Sequence, residues 1–334
     1  MTRLIFHRRT RLAVSCLTAI FASQFMVLAG IGNSDEATVA SQFNVPMPTM
    51  GGAQLWTDYI IRNQNRLQQN ALTGHWRWLD PNNVRRAWGS RTDVQAELDA
   101  AVPPSQLTGK TMIVLIHGLM RTDKSMASLQ SHMQSELDAD VIRFGYASSR
   151  MTLAESAKAL RYVLEDQPAS TQFAFVGHSM GNIITRRLIH DVQIDDSAKL
   201  LPRMKSMVML GPPNNGATIA KRLGKTGVFG WIAGPGAMEL GEDWDEIEST
   251  LATPPFPFAI VAGRVDTGAI SNPLVDGPSD MVVSVDEARL AGASDVHIVD
   301  ELHSFLMDDV EIQAWTTQWL IHHGGISERP TSTP

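Results

Sequence analysis

"QFAFVGHSMGNIITRRLI", residues 172–189, passes from an apolar run through a glycine–serine–glycine knot into a helix-like pattern. Gly177-His178-Ser179-Met180-Gly181 has G-x-S-x-G spacing. In a chain with 25 glycines that spacing alone is a weak signal. Its position raises it, between "FAFV", which reads as a strand, and "IITRRLI", which reads as a helix. A turn that sharp forces the serine into a strained backbone conformation, and the residues two away must lack side chains or strand and helix collide. The strain lifts Oγ above the sheet, and the free N–H groups of the helix start favour negative charge beside it. Ser179 is therefore read as a nucleophile, with a tight structural turn as the alternative.

The surrounding pattern sets the fold class. "TMIVLIHG" (111–118) is a continuous apolar run, as in a strand buried on both faces. Helical spacing follows in "KSMASLQSHMQSEL", then "DVIRFGYAS" (strand) and "TLAESAKALRYVLED" (helix). After the serine turn come "KSMVMLGPP", "PFAIVAG" and "DVHIV" as strands, and "DDVEIQAWTTQWLIHH" as a helix stopped by Gly324-Gly325. Strands alternating with amphipathic helices predict an α/β domain with a mainly parallel sheet flanked by helices, over residues 105–325.

A serine hydroxyl needs a base, an orienter for that base and donors for the oxyanion. The backbone N–H groups of Leu119, after "LIHG", and Met180 make a two-donor hole. His117 is read as a brace for that loop. Of the ten histidines, His303 in "DELHSFLM" lies between the last strand and the last helix, within reach of the sheet's C-terminal edge. His297, inside "VHIV", reads as a packed strand residue, and His178 as packing beside the serine. For the acid, Asp280 in "SDMVVSVDEARL", Asp266 in "AGRVD" and Asp276 are candidates, with Asp280 preferred and Asp266 the alternative.

Taken together, "IVLIHGL", "FVGHSMGN", "VMLGPPNNGA", "SDMVVSVDEARL" and "ELHSFLM" resemble the bacterial lipase and esterase branch of the α/β-hydrolases. They span roughly residues 111–321. The resemblance implies an α/β-hydrolase fold and ester hydrolysis through an acyl-enzyme, with Ser179 as nucleophile, Asp280 as acid and His303 as base. It supports Leu119 and Met180 as oxyanion donors and implies no metal or organic cofactor. One departure is Met281, where the pattern has a glycine after the acid; Asp266 stays open for that reason. Acyl transfer, thioester or amide cleavage would use the same triad. A non-catalytic binding module on this scaffold is the reading from another class.

The rest of the chain bounds partners and location. It is 43% hydrophobic and 19% charged, enough for a sizeable core and against global disorder. A net charge of −7 supplies no electrostatic footprint for nucleic acid. The one cysteine, Cys16, leaves the body without disulfides, zinc ribbons or a cysteine nucleophile. Arg3, Arg8, Arg9 and Arg11 precede an uncharged run, Leu12–Gly32, with small residues at Val27-Leu28-Ala29. Residues 1–32 thus read as an export signal or a membrane anchor, so the protein is expected to be exported (periplasmic or extracellular) or held at a membrane by residues 12–32. Residues 33–52 read as a linker and 53–69 as a helix with Leu55, Tyr59, Ile60 and Leu67 on one side, making 33–104 a linker and N-terminal helical extension. "TGHWRWLDPNNVRRAWGSR" reads as an irregular segment in which Trp76, Trp78 and Trp88 supply packing. Residues 217–254 are a candidate lid, with Phe229, Trp231, Ile232, Met238 and Leu240 among glycines, over a small-molecule or lipid ester; a short helix packed on the core is the equal alternative. The acidic cluster Glu242, Asp243, Asp245, Glu246 and Glu248 reads as a solvated face, and 326–334 as a disordered tail.

Overall fold

The computed structural model describes residues 47–48, 53–224, 234–241, 243–265 and 272–330. All belong to one unit, Val45–Pro334. The expected signal or anchor (1–32) and the linker up to 46 lie outside the described residues, as do Phe229, Trp231, Ile232, Glu242 and Asp266. Among the described residues no helix is long and apolar enough to cross a membrane.

The chain opens with an antiparallel sheet made of β1 (Met47–Pro48), β2 (Trp56–Arg62), β3 (Asn65–Asn70), β4 (Trp76–Leu79) and β5 (Val84–Gly89), in the order β1-β5-β4-β3-β2. Helix α1 (Arg91–Ala101) packs on it, capped by Ser90, whose side chain accepts from the Asp93 N–H. This corrects the helix expected over 53–69 and the irregular segment expected after it. The helical spacing of Leu55, Tyr59, Ile60 and Leu67 arises by chance from two strands joined by a two-residue turn. Asn63 and Gln64 both take positive φ, 47° and 64°, as a type I′ hairpin requires. No glycine marks that turn. Both strands are also buried on both faces, so no alternation betrays them. Trp76 is buried, with its ring against Tyr59, and Trp78 donates to Asn65 Oδ1 at 3.0 Å.

The main sheet contains β6 (Met112–Ile116), β7 (Asp140–Phe144), β8 (Phe173–His178), β9 (Met204–Leu210), β10 (Phe258–Gly263) and β11 (Asp295–Val299). Every pairing is parallel, and the order is β11-β10-β9-β8-β6-β7. Between its strands run α2 (Ala127–Glu136), α3 (Leu153–Glu165) and α4 (Met180–Ile194). Among the described residues the insert holds three short helices, α5 (Thr218–Gly224), α6 (Pro235–Glu239) and α7 (Trp244–Glu248); α8 (Val285–Ala288) and α9 (Val310–Gly324) follow. Strand residues alternate between two cores. Ile113 and Leu115 face α2 and α9, while Met112, Val114 and Ile116 face α3 and α4. A Thr152–Glu155 capping box starts α3, and Gly325, at φ 64°, ends α9.

One further expectation changes. The tail is ordered through residue 330: Ile326 is buried, Asp138 N–H donates to Ser327 at 3.0 Å and Arg329 N–H to Glu136 at 2.7 Å. Backbone pairing with the end of α2 supplies what its polar composition does not. In the insert, the described helices pack on the core: Leu240 is buried and Glu239 accepts from the Leu153 N–H at 2.6 Å.

Candidate active site

The chain passes from β6 outward to β7 and returns to β8 on the other side of β6. Parallel sheets open a crevice at such a switch point, beyond the carboxyl ends of the two strands. Ile116 and Gly177 are in register there, so the segments leaving them, His117-Gly118-Leu119 and His178-Ser179-Met180, run side by side.

Ser179 sits at φ 53°, ψ −124°, in the left-handed region, between β8 and α4. Its N–H donates to Leu210 O at 2.9 Å, and its carbonyl accepts from Asn182 Nδ2 at 3.1 Å. The flanking glycines are steric necessities. A Cβ on Gly181 would strike the Ile116 carbonyl, and one on Gly177 would strike Asn182. Gly118 meets the same limit from the other strand: its Cβ would stand 2.9 Å from that of Ser179. That contact puts Leu119, the next residue, beside the serine. Gly118 to Arg121 forms a turn with Met120 at φ 56°, closed by Arg121 N–H to Gly118 O at 3.4 Å.

His303, in a single 3-10 turn after β11, is buried, and its Nδ1 lies 2.7 Å from Asp280 Oδ2. The His303 N–H also donates to the Asp280 carbonyl at 3.0 Å. Asp280 is 1% exposed; its Oδ1 accepts from the N–H groups of Val282 (2.9 Å) and Val283 (2.7 Å). The carboxylate is thus fully engaged, with one oxygen aimed at the imidazole. Met281 has φ 81°, which explains why a glycine is expected there. Asp276 points elsewhere, in an exposed pair with Arg222 at 2.9 Å.

The imidazole of His303 reaches the serine turn through its neighbours. His178 Nε2 donates to the His303 carbonyl at 2.9 Å, the two rings lie 4.7 Å apart, and a Cβ on Gly211 would stand 3.0 Å from His303 Nδ1. Among the described residues no hydrogen bond joins Ser179 Oγ to His303. In unliganded hydrolases that contact is often long and tightens with substrate.

His117 is fully buried, and burial pushes it down to about 4, so it is neutral at pH 7. Its Nδ1–H donates to Gly118 O at 2.8 Å, and its ring stacks on Tyr146 at 4.2 Å. His178 is held well below its ordinary value by burial and by its histidine and arginine neighbours. His297 stacks on Trp315 at 4.8 Å, away from the serine's hydrogen-bonding partners. Over the site, Gly236 at α6 approaches the Met180 side chain, where a Cβ would stand 3.1 Å from Sδ. Asp243, Asp245, Glu246 and Glu248 are exposed. Among the described residues no three His, Cys, Asp or Glu gather as metal ligands. Sequence reasoning overlooked Asn182 and Tyr146. The first follows the G-x-S-x-G directly, and the second lies two residues past β7, where a large polar aromatic is the available signal.

This sheet order, with a strained serine after β8 and an Asp–His pair beyond β10 and β11, is the α/β-hydrolase fold. Residues 122–226 match the model of a family described as "Alpha/beta hydrolase of unknown function (DUF915)". Among solved structures, the chain is similar to the mature form of the Bacillus licheniformis lipase BlEst2, at 15% identity over 64% of this chain and 92% of that one, TM-score 0.49. It is similar to the lin2722 product of Listeria innocua, at 20% identity over 64% and 94% of the two chains, TM-score 0.45. It is also similar to phospholipase PlaB from Legionella pneumophila, at 19% identity over 55% and 45%, TM-score 0.42. A comparison with curated proteins finds no match.

Proposed function

We propose that this chain is a serine hydrolase that cleaves carboxylic esters through Ser179, His303 and Asp280. The observation that carries the reading is the buried His303–Asp280 bond of 2.7 Å, set against the turn that strains Ser179. His303 Nε2 takes the Ser179 proton as Oγ attacks the ester carbonyl. The N–H groups of Leu119 and Met180 receive the oxyanion, worth about 3 kcal/mol of barrier per donor. Asp280 fixes the tautomer of His303 and stabilises its charged form. The alcohol leaves with the proton that His303 returns, and a water activated by the same imidazole releases the acid.

The α6 segment packs against the Met180 side chain, next to the serine, and a small-molecule or lipid acyl ester is the substrate class of this reading. Export, or anchoring through residues 12–32, completes the reading; N-terminal sequencing of the mature protein after fractionation separates the two. Hydrolysis of esters of graded acyl length, with Ser179→Ala as control, tests the activity. Folded protein that neither turns over any ester nor reacts with a fluorophosphonate sinks it.

A further inference from the structure

The antiparallel sheet lies outside the stretch that matches the family model, and the reaction above leaves it without a task. Its interior carries charge where apolar side chains would fill the space. Asp58 is fully buried. Its Oδ2 accepts from the Gly145 N–H at 2.7 Å and from Arg66 Nη1 at 2.8 Å, and its Oδ1 from Gln68 Nε2 at 2.8 Å. The Asp58 N–H donates to Gly145 O at 2.9 Å, and Ala147 N–H donates to Thr57 Oγ1 at 3.0 Å. Strand β2 therefore grips the chain on both sides of Tyr146.

Tyr146 in turn holds His117. Its hydroxyl donates to the His117 carbonyl at 2.8 Å, its N–H points at His117 Nε2 at 3.4 Å, and the two rings stack. The turn from Gly118 to Arg121, which carries the Leu119 donor, begins at the next residue. A second arm closes on the far side of that turn, where Arg66 Nη2 stands 3.3 Å from Asp123 Oδ2. The turn is held from the antiparallel sheet at both ends.

We infer that Asp58 and Arg66 are positioning residues: through Tyr146 and His117 on one side and Asp123 on the other, the antiparallel sheet sets the place of the Leu119 N–H as an oxyanion donor. The inference rests on the esterase reading. An apolar joint would hold the sheet as firmly, because a buried ion pair spends much of its attraction on desolvation. What charge-assisted bonds add is direction and distance. An oxyanion donor needs both, since it acts only at about 2.7–3.1 Å from the developing charge.

The test compares an ester with its thionoester analogue, whose sulfur is a poor hydrogen-bond acceptor and draws little on the donor pair. Asp58→Asn keeps the shape and an acceptor for Gly145 but withdraws the charge from Arg66. Its kcat on the ester should fall about 10- to 100-fold with KM nearly constant. The ester-to-thionoester rate ratio should contract by about the same factor. Asp123→Asn, which loosens only the second arm, should show a smaller drop of the same kind. Equal losses on both substrates, a lowered melting temperature with kcat unchanged, or failure of both variants to fold would each overturn the inference in favour of a purely structural joint. A wild-type chain inactive on every ester defeats the esterase reading and this inference with it. An active wild type, dead as Ser179→Ala, leaves the variants to judge the inference alone.

Discussion

Of the turns that border the site, the one at the serine and the one at Asp280 make a pair: each holds a residue other than glycine at positive φ, Ser179 at 53° and Met281 at 81°. At the serine, strain comes from outside. Gly118, Gly177 and Gly181 let β6, β8 and α4 close in so far that a Cβ at any of the three would collide with a neighbour. At Met281 the organising force is internal. The Asp280 carboxylate accepts from Val282 and Val283, and Asn272 Nδ2 donates to the Met281 carbonyl at 2.8 Å. A turn shaped by packing survives loss of its side-chain oxygen. One shaped by its own carboxylate does not.

Substitutions can break that contrast. Ser179→Ala should lower kcat/KM by about 10⁴ or more while the melting temperature moves little, because the glycines and not the hydroxyl make the turn. A variant that unfolds would show that Oγ is structural. Asp280→Asn should cost about 10⁴ in kcat and also destabilise, by about 1–3 kcal/mol, as two backbone donors lose a charged acceptor. Should Asp266→Asn prove the crippling change and Asp280→Asn the mild one, the acid is misassigned.

Behind the serine turn lie two buried neutral histidines, His117 and His178. His117, pushed down to about 4, binds a proton more readily in the unfolded chain, near 6.5. The unfolded state therefore holds more protons between those values. Stability present above about pH 6.5 is lost as the pH falls toward 4, on the order of 3 kcal/mol from His117, with His178 acting in the same direction. Urea midpoints at pH 7 and 4.5 measure this, and equal midpoints would mean the buried imidazoles take up protons in the folded state without penalty. The smallest effect belongs to Met281→Gly. Relief of the left-handed strain should gain about 0.5–1 kcal/mol, read as a higher urea midpoint, with activity retained. A loss of stability there would place Met281's value in its side-chain packing.

Reading along the chain recovered the parallel sheet because its strands are apolar on both faces and bounded by helical periodicity. Ile113 and Leu115 need no partner identity to be placed inside. The serine turn was legible for a related reason: three residues at fixed spacing answer a local steric demand. Asp280 could be ranked but not isolated, since its φ-positive neighbour is Met281 and the glycine that would flag the turn is missing. The antiparallel sheet escaped altogether. Its Asn63-Gln64 turn carries no glycine, and the buried charges Asp58, Arg62 and Arg66 each engage a group far along the chain, Asp58 the Gly145 N–H, Arg62 Asp166 and Arg66 Asp123.

Local sequence by itself marked the order of strands and helices in the hydrolase body, the sharp serine turn and the loop histidine, because apolar periodicity and the G-x-S-x-G spacing are each written within a few residues. Tertiary structure decided which aspartate faces that histidine, that β2 and β3 are strands, and that they grip the turn from Gly118 to Arg121. Those outcomes depend on groups as far apart as Asp58 and Gly145, whose 2.7 Å bond exists only once the chain has folded around it.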